Sequence, residues 1–436
     1  MAREMKDSGI AWIGEIPKDW KTALLKRIAK IQTGNTPSKV ENERYYSREF
    51  GYLWIKAEDL GFSSPINKTT EYLTNEGIKQ GRLFPPNTVF VCCIASVGKV
   101  GYCNLESSCN QQINGLIFYN AHWKYGYYLT VAQENEYLIN ASGNVMKILN
   151  SDKQAELNCT IPPLEEQYKI AGFLDLNIAK IDFVIEKTHA AIEEYKRLKQ
   201  SVITQAVTKG IRPNREMKDS GIEWIGKMPK DWMLIPFRHV LNERNEKNSP
   251  VRSTERLSLS IDLGVTLYSE KTTNLDRFKD DFEQYKIAHK GDLVMNSMNM
   301  IVGATGVSSY YGCVSPAYYT FYDDTENHIT AKLCEYIFRS KTMLRVLFSM
   351  GKGIYAIVRG DDRVNTCRLK VSRDDLRSIQ LPIPLLDEQS EIVAYLDEKT
   401  AAIDSLIQKK EQLITELEAY KKSLIYEYVT GKKEVE

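Results

Sequence analysis

The residues of this 436-residue chain that could carry chemistry are dispersed. Five histidines (His122, His189, His239, His289 and His328) lie far apart, so no metal-ligand spacing connects them. Eight cysteines include no C-x-x-C pair. Only Cys92 and Cys93 are adjacent, in the apolar run Val89 to Ile94, which reads as buried thiols and not as a disulfide frame or zinc site. Ser96 and Ser315 have no His and Asp close by. The run Gly351 to Ala356 matches the degenerate G-x-G-x-x-A dinucleotide pattern. It follows a helical stretch, Leu344 to Met350, where that site needs a strand. No G-x-x-x-x-G-K-[ST] phosphate loop and no Pro-Asp with Glu-x-Lys nuclease pattern occurs. The Asn/Asp-Pro-Pro-Tyr/Phe run of an amino-methylase is also missing, since Pro85-Pro86 and Pro162-Pro163 carry other flanks. The chain reads as a non-enzyme with no catalytic or metal residues.

Length allows two to four domains with their own cores, and 43% hydrophobic with 26% charged residues is ordinary for a globular protein. No run of about 18 apolar residues suggests a membrane span, and the first residues lack the apolar core of a secretion signal. A cytoplasmic protein without a membrane partner is expected. The net charge of +1 is unevenly spread. Leu164 to Gly210 is neutral and Leu385 to Glu436 carries −5, which leaves +6 for the rest. The rest is therefore mildly basic, as contact with nucleic acid would allow.

What must position any functional side chain is a frame that occurs twice. Pro162 to Gly210 opens with Pro-Pro-Leu-Glu-Glu-Gln and continues as a long helical pattern; a second copy, shifted by 222 positions, opens at Pro384 with Leu-Leu-Asp-Glu-Gln. Arg3 to Trp20 returns as Arg215 to Trp232, with Ala11, Glu15 and Ile16 replaced by Glu223, Lys227 and Met228. This head, rich in Trp, reads as an irregular anchor whose tryptophans pack on the adjoining body. Each half runs head, body, long helix. The divisions expected are 1–160, 161–211, 212–381 and 382–436.

The bodies differ in sequence but share a plan. In the first, strands are expected at 52–55, 88–95 and 113–119, and helices at 74–80 and 123–137. In the second, Gly291 to Met295 takes the place of Asn87 to Val91, a Gly-punctuated loop (303–306) takes the place of Ser96 to Gly101, and a helix is expected over 331–350. Two similar α+β domains account for this most simply. In the long helices, a heptad seam places Leu174, Ile178, Ile181, Ile185 and Ile192 on one face, and Leu396, Ile403, Ile407, Ile414 and Leu417 on the other. Lys199 and Lys421 share the a positions. Such stripes need a partner, and a pseudo-two-fold repeat predicts that they pair antiparallel as a coiled coil. About 44 residues at 1.5 Å each make a rod of roughly 65 Å.

The whole chain resembles the specificity subunit of Type I restriction-modification systems. The likeness rests on the head Asp7 to Trp20 and its copy, on Ile161 to Gln167 and Leu381 to Gln389, and on two loops, Thr33-Gly34-Asn35-Thr36-Pro37-Ser38 and Ser96-Val97-Gly98-Lys99. No T-G-x-T-P-S loop follows Trp232, so the second body departs from the pattern. The resemblance implies two target-recognition domains separated by two conserved helices, each domain reading one half of an asymmetric, bipartite site in double-stranded DNA. The helices would set the spacer and dock two methylation subunits, which bind S-adenosylmethionine. Two restriction subunits would supply translocation and cleavage with ATP and Mg. No cofactor would lie in this chain.

By residue type and loop position, the contact candidates are Asn35, Thr36, Lys39, Ser96, Lys99, Gln111 and Lys147 in the first body. Asn296, Asn299, Lys352, Arg359 and Arg363 are those of the second. A duplicated frame with divergent bodies suits two different half-sites, since base readout needs different side chains on one scaffold. The alternative is a coiled-coil adaptor that binds no DNA and uses its helices to assemble other proteins.

Overall fold

The computed structural model describes residues 3–38, 42–61, 64–271, 281–354, 357–358, 364–365 and 368–435. Lys39, Arg359 and Arg363 lie outside them. The two helical patterns form single helices, Leu164–Lys209 and Leu386–Val429. The chain divides into two compact units, Met1–Ala190 with Lys410–Glu436, and Ala191–Lys409. The division falls within both helices and not at the ends of the sequence segments. Each helix gives its first part to one unit and its last part to the other.

In the first unit the central sheet has strands β1 (Ala29–Thr33), β2 (Thr88–Cys92), β3 (Val100–Cys103) and β4 (Ile113–Phe118), in the spatial order β1-β4-β2-β3, all antiparallel. After Thr88, β2 is apolar because both faces are covered. Val89 and Val91 point into a core with helix α1 (Trp123–Ala132) and the long helices; Phe90 and Cys92 point the other way, towards Leu53, Ile55 and Ile113. The second unit repeats this with β5 (Asn242–Arg244), β6 (Leu293–Asn296), β7 (Thr305–Val307) and β8 (Tyr318–Tyr322), in the order β5-β8-β6-β7. Leu293 and Met295 face the main core, Val294 a smaller one.

Several expected elements come out shorter or divided, and the strand expected over 88–95 ends at Cys92. The helix expected over 331–350 is two, α2 (Ile329–Arg339) and α3 (Lys341–Met350). Between them Ser340 is extended (φ −70, ψ 143), and its hydroxyl accepts the Met343 N–H as the cap of α3. The stretch 123–137 likewise divides into α1 and Glu134–Asn140, and the helix at 74–80 is only Gly77–Gln80.

Each head is held by the helix of its own repeat. Glu166, in the first turn of the first long helix, accepts the Trp20 indole N–H at 2.8 Å and a bond from Arg3 at 2.8 Å. Glu388 does the same for Trp232, at 3.0 Å, and for Arg215. The helix dipole favours a carboxylate at this end. The hydrogen bond that Arg3 donates to Glu166 raises the Arg3 pKa above its usual value. One residue on, Gln167 and Gln389 donate back to Pro162 O and Pro384 O at 2.9 and 3.0 Å. The Glu-Gln signature before each helix is thus an anchor. Trp20 and Trp232 are fully buried, as the anchor reading requires. At the far end of the second helix, Gly431 has φ +73, and a Cβ there would lie 2.3 Å from Pro17, so only glycine fits against the first head.

Within the first unit, the Phe173 and Tyr428 rings lie 4.4 Å apart and Asp182 pairs with Lys421. Residue numbers rise on one helix as they fall on the other, so the helices run antiparallel there. Within the second unit, Lys199 pairs with Asp404 at 2.6 Å and Arg212 with Glu391 at 2.8 Å, again antiparallel. Of the predicted seam, Leu174, Ile178, Ile181, Ile192, Leu396, Ile403 and Ile414 are buried, and Ile185, Ile407 and Leu417 are half-buried. The two lysines in a positions are met by aspartates that the 222-residue repeat relates to each other. A charged residue at an a position specifies register at a cost in stability.

The Lys421 ammonium is buried while Asp182 is about a quarter exposed (4% and 26% of the side chains). Asp182→Ala removes the carboxylate beside the buried ammonium and is expected to cost about 3 kcal/mol, the low end for a broken buried pair. Lys421→Met with Asp182→Leu should recover that loss. Urea midpoints check both; an unchanged midpoint for Asp182→Ala would contradict the reading of the pair.

Candidate nucleic-acid interface

In an antiparallel sheet, alternate strands start and stop at the same end, so loops far apart in sequence meet there. In the first unit, β1 and β2 end where β3 and β4 begin. This gathers the loops 34–38, 93–99 and 110–112 at one edge. The segment 142–148 joins them: Ala95 N–H donates to Lys147 O at 3.1 Å and Leu149 N–H to Cys93 O at 2.9 Å. Gly34 makes the first of these turns possible, because a Cβ there would lie 2.3 Å from Cys109 O.

Six of the seven first-body candidates meet at this edge; Lys39 is the seventh. Ser96, Lys99, Gln111 and Lys147 are exposed, and Asn35 and Thr36 are half-buried. Thr36 and Gln111 are hydrogen-bonded to each other through their side chains, leaving the Gln111 amide N–H groups available outward. Asn35 donates to Gln80 O at 2.6 Å, so it holds the neighbouring loop as well as facing the edge. Lys99 reaches Ala57 O at 3.2 Å. The edge is built of short polar groups with two lysines, all on a braced backbone. It can donate and accept hydrogen bonds and attract anions, but it holds no nucleophile with a base. Among the described residues, no group of three His, Cys, Asp or Glu side chains could hold a metal ion.

Sequence reasoning missed Arg82. It is exposed, sits at the same edge and donates to Thr33 O. It follows an unremarkable Gln80-Gly81 turn and is brought in by the bridge between Phe84 and Ser107. No local signal marks it.

In the second unit the equivalent edge carries the loop between β6 and β7. Asn296 is corrected here: it is only 6% exposed, and its Oδ1 accepts the N–H groups of Met298 (3.1 Å) and Asn299 (3.4 Å). It builds the loop and does not face outward. Asn299 is exposed on that loop. Lys352 is exposed and paired with Asp375 at 3.1 Å, on a ribbon whose root is tied to the loop by Val371 N–H donating to Ser297 O at 3.0 Å. Arg359 and Arg363 fall outside the described residues. The seven cysteines among the described residues are buried; burial pushes the Cys93 thiol up to about 12.

A frame that repeats, with two edges of different composition, defines a two-domain protein. Residues 17–194 match the family model described as Type I restriction modification DNA specificity domain. The chain is 24% identical to the putative type I restriction enzyme MjaX specificity subunit of Methanocaldococcus jannaschii, over 96% of this chain and 95% of that one. It is 29% identical to the HindI specificity subunit of Haemophilus influenzae over 42% of this chain and 39% of the other. Among solved structures, a chain from a study of complex assembly and conformational transition of the type I R-M system has TM-score 0.67 at 15% identity, covering 96% and 99% of the two chains. The HsdS subunit of Thermoanaerobacter tengcongensis has TM-score 0.50 at 15% identity, over 96% and 98%. The structural likenesses carry the α+β, two-domain fold. Over nearly its whole length the chain is thus similar to specificity subunits of Type I restriction-modification systems.

Asn296→Ala removes a buried acceptor of two backbone N–H groups and is expected to lower stability by about 1–2 kcal/mol. Asn299→Ala, on the surface of the same loop, should leave stability within about 0.5 kcal/mol. Thermal melts of the two variants decide; equal losses would overturn the distinction.

Proposed function

We propose that this chain reads DNA sequence for a Type I restriction-modification complex, one half-site per unit, and performs no chemistry itself. The observation that carries this is the first-unit edge. Asn35, Thr36, Ser96, Lys99, Gln111 and Lys147, from four separate loops, meet at one end of one sheet. The second unit presents the equivalent edge with other side chains, as a second, different half-site would require. Gln111 is the candidate for base readout, since an amide can bond two positions of one adenine edge. Lys99, Lys147 and Arg82 suit phosphates, which supply affinity without sequence.

The paired helices would hold the two readers and dock the modification subunits. Val184, Leu413 and Tyr420 in the first unit, and Leu198 and Leu406 in the second, are exposed apolar residues on the helices and suit that contact. Two modification and two restriction subunits would complete the complex, with S-adenosylmethionine, ATP and Mg bound there. No described helix is long and apolar enough to cross a membrane, which fits work beside cytoplasmic DNA.

The test uses the full chain with its modification partner and a duplex selected from a random pool. At physiological salt, binding should exceed that of a scrambled duplex by at least about 10³-fold. Lys99→Ala should weaken both by a similar factor and make the dependence of log K on log salt shallower by about 0.9. Equal affinity of the native complex for both duplexes would overturn the proposal.

A further inference from the structure

Within the second unit, a groove of about 620 Å³ runs between the last part of the first long helix and the start of α3. Five cations line it: Lys196, Arg197, Lys209, Lys341 and Arg345. The one acid among its lining residues, Glu193, pairs with Lys196 at 2.9 Å, which holds its carboxyl below the usual range. Arg197, Lys209, Lys341 and Arg345 make no ion pair among the described residues. The groove therefore carries about four uncompensated positive charges in a chain whose net charge is +1.

The other lining groups are of the same kind. Ser201 and Thr342 bring hydroxyls. The N-terminus of α3, a ten-residue helix, opens here just after its Ser340 cap, adding unpaired N–H groups and the positive end of its dipole. Cations, hydroxyls and a helix N-terminus together form the set that binds phosphate oxygens.

The corresponding place in the first unit is different. There Lys422 and Ser423 stand, by the 222-residue repeat, where Gln200 and Ser201 stand in the second unit. Lys422 is neutralised by Glu134 at 2.7 Å, and the groove is about 270 Å³. The frame alone does not demand a basic groove.

We infer that the second-unit groove binds the phosphate backbone of duplex DNA beyond the bases read by that unit. This rests on the DNA-reading proposal above. The route from reader to groove is short: Met343 and Leu347 of α3 share a buried core with Met300 and Ile301 of the β6–β7 loop. Ten helical residues span about 15 Å, roughly four base pairs at 3.4 Å each. Continuous duplex is therefore the anion that the edge itself delivers. An acidic protein segment is the competing occupant, and the experiment separates the two.

The variant Arg197→Gln, Lys209→Gln, Lys341→Gln, Arg345→Gln, in the full chain with its modification partner, is compared with the native complex on selected and scrambled duplexes from 50 to 300 mM KCl. The slope of log K against log salt should become shallower by about 3.6, at about 0.9 for each phosphate no longer neutralised. The preference for the selected duplex should be kept within about twofold, since phosphate contacts carry no sequence. The double variant Lys341→Gln, Arg345→Gln, at the exposed start of α3, should give about half that change and guards against misfolding of the fourfold variant. An unchanged slope in both, with the native complex still preferring its duplex, overturns the groove inference alone. An unchanged slope with loss of the modification partner would assign the groove to protein and also overturn it. A native complex without preference defeats the DNA reading itself.

Discussion

A long helix with an apolar stripe cannot stand alone in water, and that constraint organises this protein. Within each unit the stripe is covered by the body and by the part of the other helix that lies there, running antiparallel. The consequence reaches the domain structure: each unit is a body completed by pieces of both helices. Two lysines placed in the seam meet aspartates in this register.

The heads carry the same logic outward. A carboxylate in the first turn of each long helix grips an indole N–H and a guanidinium from the start of its own repeat. The sheet of each body then stands on a fixed base, and the loops at its far edge are braced by backbone hydrogen bonds across the sheet. Change can accumulate at those edges while the frame stays constant. This is the physical meaning of two nearly identical heads beside two dissimilar bodies.

Much of the frame is legible in the sequence because its signals are local or periodic. Leu174, Ile178 and Ile181 announce a seam by spacing alone, and the head announces itself by repetition. The tryptophans read as anchors from the sequence, but their partner is not visible there, since Trp20 and Glu166 lie 146 residues apart. Ser340 hides inside a helical pattern because a serine there is neutral until its hydroxyl caps a second helix. Asn296 has the type and position of a contact residue, yet only its 6% exposure reveals that it faces the loop it builds. Arg82 and the basic groove are illegible for one reason: each is assembled from segments whose distance in sequence hides their meeting.

The central claim is that two independent readers share one helical frame. Selection of bound duplexes from a random pool tests it most directly, performed on the native complex and on one carrying Gln111→Ala. The native complex should return two conserved blocks separated by a spacer of fixed length and free sequence. The variant should relax one block and leave the other block and the spacer length intact. A single continuous block, or loss of both blocks together in the variant, would contradict the account.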